Sequence, residues 1–228
     1  MIKRWEKLPF VFQDESIKEY YNILSRRKFS LFLKQIFDFF LSIILIILML
    51  PIMLIISFSI LLTSKGKIIF KQTRVTRYCN NFTIYKFRTM REGCNGSSIT
   101  TINDCRVTKI GAFLRKSRLD ELPQLFNVLK GDMSFVGPRP EVPKYVVAYS
   151  KEMYATLLVK AGITCQASIK FKNEASMLAD IQDVDAYYVK EILPIKMKYN
   201  LRSIKRFNLF NDFFIIITTF FALFSRSK

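Results

Sequence analysis

The pattern of apolar and polar positions is dominated by one block. From Phe39 to Ser64 the chain runs 26 residues without a charge, FFLSIILIILMLPIMLIISFSILLTS. At about 1.5 Å per residue a straight helix of that length reaches roughly 39 Å, more than a hydrocarbon core of about 30 Å, so the segment belongs in a bilayer. Pro51 stands in the middle, where a proline removes a helix hydrogen bond and clashes with the preceding turn. Both flanks are basic: Arg26, Arg27, Lys28 and Lys34 before the run, Lys65, Lys67, Lys71, Arg74 and Arg77 after it. A spanning helix usually shows Lys/Arg asymmetry between its two sides. Matched flanks and a central proline favour a re-entrant helical hairpin that enters and leaves on one face, with a kinked spanning helix as the alternative.

Beyond Ser64 the pattern becomes that of a small mixed domain. Lys67 to Val75 and Phe82 to Arg88 are rich in Ile, Phe, Thr and Tyr and predict two short strands. Arg91 to Asn103, with Gly93, Gly96, Ser97 and Ser98, predicts a loop. Pro123 to Leu129 predicts a short helix closed by Gly131, and Val142 to Lys160 a longer one. Ala175 to Tyr199 reads as largely helical with an interruption near Pro194. The apolar stretch Phe213 to Phe224 is short for a span, which predicts a C-terminal helix over 207–224 lying in the interface. The expected organisation is an arm over 1–34, mixed charged and aromatic and unlike a signal peptide, then a membrane helix over 35–64 and a domain over 65–228. The fold class is α/β: a proline-kinked re-entrant membrane helix followed by a helix-rich α/β catalytic domain with interfacial helices.

Composition narrows the chemistry. Thirty-six Lys and Arg against eighteen Asp and Glu give a formal charge of +18 over 228 residues. Half the chain is hydrophobic and 14% aromatic, too apolar for a disordered polybasic tail. There is no histidine, which excludes a Ser-His-Asp triad, a Cys-His pair and a His general base. Cys79, Cys94, Cys105 and Cys165 show neither CxxC nor zinc spacing and read as scattered small hydrophobes in a reducing compartment. Surplus Lys and Arg attract anionic headgroups at roughly 1 kcal/mol each near a membrane surface. The same charge with interleaved aromatics could serve a phosphate backbone, but no nucleic-acid motif is present.

Candidate chemistry gathers between Lys86 and Pro140. Asp120 and Glu121 are adjacent carboxylates just before Leu122-Pro123, so a proline in the first turn puts the pair near a helix N-terminus. Arg88, Arg106, Arg115, Arg118 and Arg139 lie in the same segments. Ionised acids among arginines suit a phosphate substrate with a divalent cation, because Mg²⁺ prefers carboxylate and phosphate oxygens. An acidic pair capping a helix in a basic protein is the plainer alternative.

Longer motifs carry a resemblance. Pro51 in its apolar helix, Lys86-Phe87-Arg88-Thr89-Met90, Arg106-Val107-Thr108-Lys109-Ile110-Gly111, Leu119 to Leu125, Asn127 to Ser134 and Val136-Gly137-Pro138-Arg139-Pro140 together resemble the bacterial sugar transferases of the monotopic phosphoglycosyl transferase family, over about Gln35 to Phe224. The resemblance implies transfer of a sugar-1-phosphate from a UDP-sugar to polyprenyl (undecaprenyl) phosphate at the cytoplasmic face of the bacterial inner membrane, releasing UMP, as a first membrane step of capsule, O-antigen or exopolysaccharide assembly. It makes Asp120 the nucleophile of a covalent phosphoryl-aspartate intermediate and Glu121 the residue that holds Mg²⁺. Lys86, Arg88, Arg106, Arg115 and Arg139 become the substrate-binding cations and Pro51 the membrane kink. Implied partners are UDP-sugar, polyprenyl phosphate and membrane lipids, with a homo-oligomer possible and no nucleic acid. Thr76 and Cys79 stand where the family usually has glycine, Cys105 and Ala161 where it has proline, Cys165 where it has glycine, and Leu50 where serine is common. None of these touches the acidic pair. The contrasting expectation is a non-catalytic, membrane-anchored basic binding or scaffold protein.

Overall fold

The computed structural model describes residues 2–91, 104–172, 174–178 and 181–224. The predicted loop from residue 92 to 103, Cys94 included, lies outside them.

The arm is folded. Two 3-10 turns lead to helix α1 (Glu15–Arg26), which Asp14 caps by accepting the Ser16 N–H at 3.0 Å. Ile17, Tyr20 and Leu24, spaced on one helix face, are buried together with Ile2, Leu8 and Phe12. These residues belong to one core with Tyr145, Leu158, Ile192, Met197 and Leu201 from the far end of the chain.

Helix α2 (Lys28–Thr63) is a single 36-residue element that continues through Pro51. One stripe of it, Asp38, Ser42, Met53, Ile56 and Ile60, is buried against the domain, with Leu41, Leu45, Ile46 and Met49 packed beside it. The rest stays apolar and exposed, for example Ile47, Ile55, Phe58 and Leu62. The 22 helical steps from Asp38 to Ile60 correspond to roughly 33 Å of side-on contact at about 1.5 Å each. Asp38, the acid inside this apolar helix, is turned to the domain, where Oδ1 accepts the Phe135 N–H at 3.2 Å.

Strands β1 (Ile69–Val75) and β2 (Asn81–Phe87) form the expected hairpin, antiparallel in register Ile69↔Phe87 to Val75↔Asn81. Helices α3 (Lys109–Lys116) and α4 (Gln124–Leu129) follow, the second starting one residue after Pro123. Strands β3 (Met133–Val136) and β4 (Ala161–Thr164) pair in parallel, Met133↔Ala161 to Val136↔Thr164. Four residues apiece give little periodicity, and neither was predicted. Gly137 and Gly162 lie back to back beside this pair: a Cβ on Gly162 would fall 2.1 Å from Gly137 N, so the backbones meet only because both side chains are missing.

The predicted helix over 142–160 is a correction. The segment divides into α5 (Pro143–Val146) and a 3-10 stretch, Glu152–Leu158, because Lys160 already leads into β4. The helical region after it holds α6 (Gln166–Lys170), α7 (Glu174–Met177), α8 (Val184–Tyr187) and α9 (Leu193–Lys205). The expected interruption near Pro194 is a π-helical turn, Tyr188–Ile192, and the proline sits in the first turn of α9 where its missing N–H costs nothing. Helix α10 (Leu209–Phe224) starts later than residue 207, since Phe207 is in the core, and exposes Phe210, Phe213, Phe214, Phe220 and Phe221.

Candidate active site

The acidic pair sits on a 3-10 turn, Leu119–Glu121, between α3 and α4. Glycine places α3: a Cβ on Gly111 would fall 2.0 Å from the Thr89 carbonyl oxygen, so this helix can lie against the end of β2 only with glycine there. Thr108 caps α3, its hydroxyl accepting the Gly111 N–H at 3.0 Å. The helix ends at Arg118, which holds φ 58°, a left-handed conformation more usual for glycine at this position. That turn brings Asp120 and Glu121 beneath β2.

Glu121 is bound by cations from both sides. Lys86 Nζ of β2 donates to Oε1 at 2.8 Å and Arg139 Nη2 to the same oxygen at 2.5 Å, while Arg118 Nη1 lies 3.9 Å away. Arg139 Nη1 reaches Oε2 at 3.5 Å. Burial alone would raise the Glu121 pKa, but Arg139 and Lys86 hold it well below the ordinary value. Lys86 is pulled down by burial despite Glu121, and Arg139 is pushed up by Glu121.

Asp120 is the opposite case. It is 6% exposed, and its Oδ1 has no hydrogen-bond partner among the described residues. Burial raises its pKa above the ordinary value, the charge on Glu121 adds to this, and Lys86, Arg115 and Arg118 oppose it. Two adjacent carboxylates therefore differ in kind: one neutralised by Arg139 and Lys86, one under-solvated with Lys86, Arg115 and Arg118 near it.

The predicted cations are not all gathered here. Lys86 and Arg139 meet on Glu121, and Arg115 lies close enough to oppose the rise at Asp120 while donating from Nε to Thr89 Oγ1 at 3.0 Å. Arg106 forks onto Asp104, with Nε to Oδ1 at 2.8 Å and Nη2 to Oδ2 at 2.6 Å. Arg88 is 5% exposed and grips the end of α2, its Nη2 donating to Ser64 O at 2.7 Å and its Nη1 to Lys65 O at 2.9 Å. Gln124 was missed. It is 1% exposed, and its Nε2 has no hydrogen-bond partner among the described residues, four positions after the orphaned oxygen of Asp120. A polar residue right after the proline of a helix start gave no sign of burial.

Among the described residues no group of three or more acids or cysteines is gathered for a metal. Mg²⁺ does not need one, since it binds through one or two carboxylates and takes its remaining ligands from phosphate and water. The orphaned Oδ1 of Asp120 and the loosely engaged Oε2 of Glu121 fit such a cation.

Comparison with known proteins covers most of the chain. The family model described as bacterial sugar transferase matches residues 29–226. The UDP-N-acetylgalactosamine-undecaprenyl-phosphate N-acetylgalactosaminephosphotransferase of Aeromonas hydrophila is 38% identical over 166 residues, 70% of this chain and 36% of that protein. The UDP-glucose:undecaprenyl-phosphate glucose-1-phosphate transferase of Xanthomonas campestris pv. campestris is 36% identical over 167 residues, 70% of this chain and 32% of that protein. An uncharacterised sugar transferase of Bacillus subtilis (strain 168) is 37% identical over 159 residues, 70% of this chain and 78% of that protein. The chain thus spans about a third of the length of the first two.

Proposed function

The chain belongs to the bacterial sugar transferase family, and on that premise we propose that it moves a sugar-1-phosphate from a UDP-sugar to undecaprenyl phosphate, with release of UMP. The observation that carries this reading is the unlike acidic pair: a buried Asp120 with an orphaned oxygen beside a Glu121 held ionised by Lys86 and Arg139. The names of the two longer relatives supply the substrate classes.

A carboxylate oxygen of Asp120 attacks the sugar-linked phosphorus, and the bond from that phosphorus to UMP breaks with its electron pair leaving on UMP. An oxygen of the lipid phosphate then attacks the same phosphorus and restores the free carboxylate, leaving polyprenyl diphosphate sugar. Neither step asks a strong base to take a proton, which suits a chain without histidine. Asp120 is a competent nucleophile because burial strips water from it and little else holds it. Glu121 keeps Lys86 and Arg139 at the position where phosphate charge gathers. Mg²⁺, held by Glu121 Oε2 and Asp120, would supply charge neutralisation on the diphosphate oxygens.

The apolar outer face of α2, with the exposed phenylalanines of α10, supports a membrane-embedded enzyme, and the matched basic flanks with the central Pro51 carry the proposal that α2 returns to the face it entered. That face is the cytoplasmic side of the inner membrane, where UDP-sugars are available. The test is UMP release from UDP-sugars by membranes carrying the chain, with Asp120→Asn in parallel. Release that Asp120→Asn abolishes, with a phosphosugar trapped on Asp120 of the parent, supports the reading. No release with any UDP-sugar makes the chain a binding or scaffold protein, and an intermediate trapped on another residue removes Asp120 as nucleophile.

A further inference from the structure

At the other end of the hairpin from the acidic pair lies a second polar pocket of about 280 Å³. Four separate segments build it: Lys3 from the arm, Thr76 to Phe82 from the β1–β2 turn, Gly131 and Asp132 from the turn before β3, and Lys160 just before β4. In β2 Lys86 is five positions from Asn81, about 17 Å at roughly 3.3 Å per residue, so the pocket is distinct from the acidic pair.

Its lining is largely polar, and cations outnumber acids in it. Lys3, Arg77 and Lys160 line it with one carboxylate, Asp132, and Lys160 also feels the charge of Asp38 on α2. Lys3 Nζ and the Arg77 guanidinium both lie over the Tyr78 ring, 4.9 and 5.0 Å from its centre, and the Tyr78 hydroxyl accepts the Lys3 N–H at 2.9 Å. Burial and then the charge of Arg77 lower the Lys160 pKa. Thr76 fixes the floor: its hydroxyl donates to Asp132 O at 2.8 Å and accepts the Ala161 N–H at 3.1 Å, tying β1, β3 and β4 together.

The turn is also strained. Tyr78 and Cys79 hold φ of 61° and 60°, two consecutive left-handed residues with side chains. Each such residue costs on the order of 1–2 kcal/mol, and strain of this kind persists where the surroundings over-determine it. Here it holds Tyr78 under the two cations. Arg77 and Lys160 also line the neighbouring cavity against Lys34 and Asp38 of α2, so the pocket opens beside the start of the membrane helix.

We propose that this pocket is a second, non-catalytic anion site, and that its ligand is a phosphate group held by Lys3, Arg77 and Lys160 with the Thr76–Asn81 turn beneath it. The phosphate could come from an anionic phospholipid headgroup at the entry of α2 or from a soluble phosphate. The inference stands whether or not the transferase reading does.

Amine acetylation of the full-length protein, read residue by residue by mass spectrometry, tests it. In neutral detergent, pyrophosphate at constant ionic strength should slow labelling of Lys3 and Lys160 by roughly tenfold at ten times its Kd, with exposed Lys116 and Lys198 unaffected. In nanodiscs, phosphatidylglycerol should protect the same two lysines without added phosphate if the headgroup is the source, and phosphatidylcholine alone should not. Lys3→Gln, at an exposed position, should weaken protection of Lys160. Unchanged labelling of both lysines with pyrophosphate and with phosphatidylglycerol would overturn the site, as would equal protection by chloride or undiminished protection of Lys160 in Lys3→Gln.

Discussion

Asp120 and Glu121 are neighbours in sequence and opposites in energetics, and mutation should expose the difference. The raised pKa of Asp120 means that its stabilising contribution is present below the ordinary carboxylate pKa and is lost as pH rises through the folded value. At neutral pH its charge costs stability. Asp120→Asn should therefore inactivate the protein while raising its melting temperature, by roughly 2–4 °C for each kcal/mol relieved. The lowered pKa of Glu121 means stability that is present above the ordinary value and lost as pH falls through the folded one. Glu121→Gln leaves Lys86 and Arg139 without their shared counter-charge and should cost about 3–5 kcal/mol. Calorimetry on both variants checks the pair, and two shifts of the same sign would refute it. A nucleophile must be ionised, so UMP release should fall on the acid side at a pH above the ordinary value for aspartate. The acidic motif was legible from sequence, but this asymmetry was not: it depends on Lys86 and Arg139, 35 and 18 residues away.

Arg88 has structural partners that its motif does not reveal. In sequence it belongs to a basic motif beside a phosphate site; in the fold it binds the carbonyls of Ser64 and Lys65, just past the end of α2, and ties that junction to β2. Arg88→Ala should cost about 1–3 kcal/mol and open the residue 64–67 junction to protease. KM for the UDP-sugar should change little, whereas a phosphate contact would raise it. Topology is testable at the same scale. With the four native cysteines replaced, single cysteines at positions 3 and 67 should both escape labelling from outside intact cells. In Pro51→Leu the restored helix bond gives an unbroken apolar run, and a minor fraction of label should reach position 3, opposed by the basic arm and by the core that Ile2, Leu8 and Phe12 share with the domain. Label at position 3 in the parent would favour a spanning helix. Long periodic elements such as α2 and the β1–β2 hairpin could be read in advance. The β3–β4 pair could not, because four-residue strands are set by partners 28 residues apart and by the Gly137–Gly162 contact.

Across the whole molecule the arm matters more than its position suggests. The family match begins at residue 29, yet the core of the far half of the chain includes Ile2, Phe12, Ile17 and Leu24. Burial of each such side chain contributes about 1.5–3 kcal/mol, comparable in sum with the whole stability of a domain. Removing residues 1–27 should therefore leave a chain that aggregates or is degraded even though every catalytic candidate remains, as fluorescence-detected gel filtration in detergent would show. A monodisperse, active truncation would make the arm dispensable. The spacing of Ile17, Tyr20 and Leu24 was visible in the sequence, but their partners at Ile192 and Met197 are more than 160 residues away, beyond any local pattern.

The side-on packing of α2 also sets an order of events during synthesis. Met53, Ile56 and Ile60 rest on Phe87 and Leu114, which the ribosome makes later. At about 5–20 residues per second, the interval from Ile60 to Leu114 is roughly 3–11 s. With α2 in the bilayer, as proposed, its inner stripe and Asp38 spend that time without the surface that later covers them. The bilayer would then be the first folding partner of this chain, with the domain assembled onto a helix already delivered to the membrane.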